Sequence, residues 1–154
     1  MVKALFRSAE FGDGHALAPN LRTADKREML AATGESSGTS LEKGIIDSDE
    51  CWVMEVEEEP AAVYGYRSTE GDSAYIWLLG SDKIHDVRWQ FLRESKNMIN
   101  RLLKTHESLW SLSDSRNEKH QEWYEWLGFK VLTQVKCGPF SLSFNLIEVR
   151  KDDV

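Results

Sequence analysis

Cysteine and proline are scarce in this chain: two cysteines and three prolines among 154 residues. Neither Cys51 nor Cys137 sits in a C-x-x-C pair or beside paired histidines, so a zinc site has no support and no metal is expected. Both cysteines read as free thiols, buried or half-buried, in a reducing setting. No stretch approaches the ~18 apolar residues of a membrane-spanning helix. The first residues also lack the apolar core of a signal peptide. Basic residues are outnumbered, 19 Lys and Arg against 26 Asp and Glu, for a net charge of −7. Phosphate neutralisation needs clustered Lys and Arg, so nucleic acid is not expected as a partner, and an acidic chain gains nothing from an anionic membrane. There is no G-x-S-x-G, and Ser111, Ser113 and Ser115 have no His/Asp spacing around them, so a serine hydrolase is unsupported. His15, His85 and His106 are scattered without metal-ligand spacing.

What is present reads as one globular domain over residues 1–154, with the N-terminal 1–15 loosely ordered. Apolar residues make up 41% and charged residues 29%, a folding composition. A chain of this length buries roughly 70% of its unfolded surface, enough for a core without disulfides. Six tryptophans are available as core or interface anchors. The acidic run Glu55–Glu59 reads as a solvated strand end and turn.

Periodicity then places the elements. Val2–Phe6 is a candidate first strand, and Leu17–Thr33 has helical spacing, stopped by Gly34. The segment Gly34–Ser40 reads as a loop, with Leu41–Ile46 a short helix capped by Ser40. Cys51–Glu57, Ala61–Arg67 and Ala74–Leu79 are strand-rich runs joined by short turns, an antiparallel meander in which Pro60 precedes the second strand. Val87–Leu103 places Phe91, Ser95, Met98, Ile99 and Leu102 on one face of a long amphipathic helix. Leu109–Ser113 is a short strand, Glu118–Leu127 a helix closed by Gly128, and Phe129–Val135 and Phe140–Val149 a final hairpin. A strand-helix-strand crossover calls for one parallel pair in an otherwise antiparallel sheet. The expected class is therefore α/β, a central mixed sheet flanked by helices.

The segment Asn117–Phe129, NEKHQEWYEWLGF, resembles the part of GNAT (acetyltransferase-like) proteins in which an Asn after a strand opens a helix ending in Tyr-x-x-Leu-Gly-Phe. A second, narrower resemblance is carried by spaced residues over about 17–150: Cys51-Trp52, Trp77–Asp82, Phe91–Ser95, Leu109-Trp110, Asn117 and His120. These look like a family of small GNAT-like phage proteins that includes the internal virion proteins of short-tailed phages. The first resemblance implies an acetyl-CoA cleft. In it Tyr124 is the general acid that protonates a departing thiolate, and Asn117, Leu79, Lys83 and Arg88 contact the cofactor. The plainer alternatives are a packed tyrosine and an Asn that merely caps its helix. His120, on the first turn, is a candidate base, or else an exposed surface histidine. The second resemblance implies a virion-associated or assembly protein, made in the host cytoplasm and carried into the particle. Its partners would be other virion or assembly proteins, with self-association left open.

One stretch weighs against the cofactor. GNAT enzymes bind its pyrophosphate on a glycine-rich turn at the start of the long central helix, where backbone N–H groups and the helix dipole meet the phosphates. The corresponding Gly80–Val87 has a single glycine and carries Asp82 and Asp86, which repel a pyrophosphate and could instead cap the helix. The sequence thus favours a protein without ordinary acetyltransferase activity and no firm cofactor. The alternative is an N-acetyltransferase moving acetyl from acetyl-CoA to an amine.

Overall fold

The computed structural model describes residues 2–153; Met1 and Val154, the ends of the expected domain, lie outside them. Strands β1 (Ala4–Ser8), β2 (Glu50–Val56), β3 (Glu59–Thr69), β4 (Ser73–Gly80), β5 (Ser108–Asp114), β6 (Lys130–Cys137) and β7 (Leu142–Arg150) form one sheet, in the order β1-β2-β3-β4-β5-β7-β6. Helices α1 (Asp13–Leu17), α2 (Thr23–Thr33) and α3 (Ser37–Asp47) precede the meander. Helix α4 (Arg88–Leu103) crosses from β4 to β5, and α5 (Glu118–Trp126) joins β5 to β6. The crossover produces the expected parallel pair, β4 with β5, and every other pairing is antiparallel.

Alternation along the meander sorts the core into two layers. Met54, Ala62, Tyr64, Ile76 and Leu78 face the apolar stripe of α4 (Phe91, Met98, Ile99, Leu102) and Trp123 of α5. Their neighbours Val53, Val63 and Leu79 point the other way, onto Leu17, Leu21, Met29 and Leu41 of the N-terminal helical region. One period-2 sheet therefore holds helices on both faces.

The structure departs from the sequence expectations at local stops. Pro19 ends the first helical stretch in a short 3₁₀ turn, Ala18–Asn20, so the expected Leu17–Thr33 helix becomes a turn followed by α2. The Gly34–Ser40 loop is instead mostly helix: α3 begins at Ser37, after Ser36, because Leu41 is fully buried and draws its preceding turn onto the sheet. Pro60 lies inside β3 and not before it. The β2–β3 turn is made by Glu57 and Glu58, both at positive φ, and a bulge between Met54 and Glu55 absorbs the register. Neither Asp82 nor Asp86 caps α4, which starts after Val87 with no side-chain cap; Ser81 instead caps the 3₁₀ turn (Asp82–Val87) that leads into it, its hydroxyl accepting the Lys83 N–H.

The β6–β7 hairpin tip folds back on α2. Gly138 has φ +78°, and a Cβ there would lie 1.9 Å from the Ala31 carbonyl oxygen; Gly71 has φ +75° with open space around it. Gly71→Ala should therefore lose only the left-handed penalty, roughly 1–2 kcal/mol. Gly138→Ala should lose at least twice as much, since backbone cannot swing aside. Urea unfolding of the two variants checks this; equal losses would mean the tip is not seated on α2.

Candidate functional site

Strands β4 and β5 pair at only three positions, Ser73–Ser108, Ala74–Leu109 and Tyr75–Trp110. Beyond them β4 runs on to Gly80 and β5 to Asp114, and the sheet opens between the two. Because Ser81 N–H donates to Ala61 and the register pairs Ala62 with Gly80, the peptide groups of Ile76, Leu78 and Gly80 face the opening. An opened sheet leaves such groups needing partners.

The partners come from α2 and β5. The Gly80 N–H donates to Asp25 Oδ2 at 2.8 Å, and the Gly80 carbonyl accepts from the Arg22 N–H. On the far side the Asp114 N–H donates to Glu28 Oε1 at 2.7 Å. Asp25 and Glu28 are one turn apart on α2, so each carboxylate holds the end of one diverging strand. The Ile76 carbonyl accepts the Ser111 hydroxyl at 2.7 Å. Leu78, beyond the last β4–β5 pair, faces the opening with no such partner among these.

Asp25 is fully buried and accepts further bonds from Arg22 Nη2 (2.9 Å) and Asn117 Nδ2 (3.0 Å). His120 lies between the two acids, with Nδ1 2.8 Å from Glu28 Oε2 and Nε2 3.5 Å from Asp25 Oδ1. Burial alone would drive the imidazole toward its neutral form. Glu28 and Asp25 outweigh that and raise its pKa to about 10. Burial likewise works against an ionised Asp25, but His120 and Arg22 prevail and hold its carboxyl well below the usual range. The four groups form a set of two cations and two anions, in which the buried His120 Nε2 is close to Asp25 but makes no hydrogen bond. His120 is thus no surface histidine: it is 2% exposed. Asn117 caps α5, its Oδ1 accepting the His120 N–H, while its amide group reaches Asp25.

Two recesses flank this network. The first, a cavity of about 310 Å³, lies against α2, α3 and the β6–β7 tip, and Tyr75, Trp77, Leu79 and Tyr124 are among its walls. The Tyr124 hydroxyl donates to Ser111 at 3.1 Å, and burial keeps the phenol protonated well above its ordinary pKa. Burial also raises both thiols, Cys51 to about 12, so neither is a reactive thiolate at neutral pH.

The second recess is a groove between the Ser81–Val87 turn and α5. Arg88 borders it. Lys83 instead pairs with Glu59 on the surface, and Leu79 faces the other recess. Tyr124 and Leu79 therefore share one recess, Arg88 lies in the other, and Asn117 and His120 belong to the network between them. The groove has little provision for a pyrophosphate. Arg22 is paired with Asp25, leaving Arg88 and Lys119 against Asp82, Asp86 and Glu122. The space beside Gly80 is filled by Ile84, whose Cδ1 would lie 2.2 Å from an added Cβ. Glycine here serves close packing and leaves no cradle. The residues present do not fit the pyrophosphate end of coenzyme A. Among the described residues no cluster suits a metal ion, and no helix is long and apolar enough to cross a membrane.

The buried network was only partly accessible to sequence reading. The sequence singles out Asn117 and His120 but not Asp25 and Glu28, three apart on α2. Set among Lys26 and Arg27, the two acids carry no local sign of burial in the sequence.

No protein-family model matches the sequence, and no curated protein matches it closely. Solved structures do match by shape. A GNAT-family acetyltransferase from Bacillus anthracis superposes with a TM-score of 0.70 at 14% identity, covering 99% of both chains. The aminoglycoside acetyltransferase AAC(6')-Ib in complex with coenzyme A gives 0.70 at 12% identity, covering 98% of this chain and 96% of that one. The ribosomal-protein-S5-alanine acetyltransferase from Vibrio fischeri gives 0.68 at 14%, covering 97% and 94%. The chain has the GNAT acetyltransferase fold.

The network makes stability depend on pH. His120 has a folded pKa above its unfolded value of about 6.5, so its contribution is complete below pH 6.5 and is lost as pH rises through about 10. Unfolding free energy should decline over that window in the native chain, and His120→Gln should flatten this part of the profile. Asp25→Ala should cost about 3–5 kcal/mol at neutral pH, by leaving buried cations uncompensated. Denaturant melts across pH check both; a native profile parallel to that of His120→Gln would remove the imidazolium from the network.

Proposed function

We propose that this chain uses the acetyltransferase fold without ordinary acetyltransferase chemistry and works through protein contacts, as a virion-associated or assembly component. The carrying observation is the opening between β4 and β5. There the Gly80 N–H is held by a buried carboxylate of the chain itself, with Arg22, Glu28 and His120 completing the set. The acidic, Ile84-filled turn after β4 supports the same reading. The particle assignment rests on the resemblance of spaced residues, from Cys51-Trp52 to His120, to internal virion proteins of short-tailed phages. Its setting would be the host cytoplasm during assembly and then the particle. Exposed Phe11, Trp89, Trp126 and Phe140 offer contact area for other virion or assembly proteins, or for a second copy.

A second reading, an N-acetyltransferase transferring acetyl from acetyl-CoA to an amine, is supported by the structural neighbours, two of them solved with coenzyme A. The buried, protonated Tyr124 beside the open peptide of Leu78 also favours it. Tyr124 is then the candidate acid.

Calorimetric titration with acetyl-CoA separates the two. The first reading expects no heat at millimolar cofactor and recovery of the chain from purified particles by mass spectrometry; its absence there would sink the assembly role. Saturable binding would favour the enzyme, and Tyr124→Phe should then lower kcat on an amine at least about a hundredfold with little change in cofactor affinity.

A further inference from the structure

The cavity beside the network has a feature that neither reading uses. Its inner walls are largely apolar, and several of their polar groups are paired within the chain. The Trp77 indole N–H donates to Ser48 at 2.9 Å, Tyr124 donates to Ser111, and both Glu28 oxygens are engaged. Gly44 lets α3 approach the Trp77 ring, since a Cβ there would lie 3.2 Å from it. The hairpin tip seated on α2 closes one side. The walls are therefore preformed, with Met29, Trp77, Leu79 and Phe144 supplying the apolar surface.

The lining includes two exposed charges of opposite sign, Arg67 on β3 and Asp47 at the end of α3. Among the described residues neither enters a salt bridge. The Arg67 guanidinium rests 5.8 Å from the centre of the Tyr75 ring, which orients it without neutralising it. A volume of about 310 Å³ suits a single small molecule.

We infer that this cavity binds a small zwitterion with an apolar or aromatic body, of the free amino-acid type. Arg67 takes the carboxylate, Asp47 takes the ammonium, and the side chain packs on Trp77 and Phe144. Carboxylate recognition by a guanidinium fork and ammonium recognition by a carboxylate are the ordinary chemistry of these groups. The network contributes no net charge at the inner end, which leaves selectivity to the two rim residues. The site does not depend on the assembly reading; on the enzymatic reading it names the acceptor amine.

The test is Trp fluorescence and calorimetric titration of the full chain with L-phenylalanine, 3-phenylpropionate, phenethylamine and glycine, without acetyl-CoA. L-Phenylalanine should bind saturably, each one-charge analogue roughly fivefold more weakly, and glycine not detectably. Arg67→Ala should erase the advantage over phenethylamine alone, and Asp47→Ala the advantage over 3-phenylpropionate alone. Both positions are exposed, so the variants should keep the native melt. No binding of L-phenylalanine at tens of millimolar, or equal affinity for all three aromatic ligands, overturns the inference. Neither result bears on acetyl-CoA binding or on the presence of the chain in particles.

Discussion

Everything at the centre of this molecule depends on how an opened sheet satisfies its exposed peptide groups. Strands β4 and β5 separate after three residue pairs, and the peptide groups beyond cannot stay buried without partners. A carboxylate is a strong acceptor for a backbone N–H, so Asp25 takes Gly80 and Glu28 takes Asp114. Two buried anions would in turn be costly, which makes Arg22 and a protonated His120 necessary. The charge of the imidazolium thus follows from an unmade β-ladder.

The same requirement sets what the fold can do. In the structural neighbours solved with coenzyme A, the shared architecture coexists with a bound cofactor. In this chain the strand end carries its own acceptor, and the turn after it is closed by Ile84 packing on Gly80. The sheet order is shared, and in this chain the groups lining its opening bond to one another. Tyr124 remains, buried and protonated, with its proton directed through Ser111 to the Ile76 carbonyl.

The sequence was legible wherever one local rule decided the outcome. The apolar stripe on Val87–Leu103 forecast the core face of α4, the strand-rich runs forecast the β2–β4 meander, and the strand-helix-strand crossover forecast the parallel pair. It was illegible where distant residues decided. Ser37–Ser40 looks like a loop because serine and glycine favour turns, yet burial of Leu41 draws the segment into α3. His120 looks like a surface residue because its neighbours Glu118, Lys119 and Glu122 are exposed. Only the placement of α2 against α5, contacts some 92 residues apart in the case of Asn117 and Asp25, puts it inside. Of the expected cofactor contacts, Lys83 is diverted to Glu59, a residue 24 positions earlier that no local pattern connects to it.

The three-pair seam between β4 and β5 has a mechanical meaning. It divides the sheet into two plates, β1–β4 and β5–β7–β6, joined along an edge only three residues long. Side chains from α2 and α5 bridge the two plates, reaching one through Gly80 and the other through Asp114. The seam is therefore held in part by backbone and in part by charge, with His120 bridging the two carboxylates that hold Gly80 and Asp114.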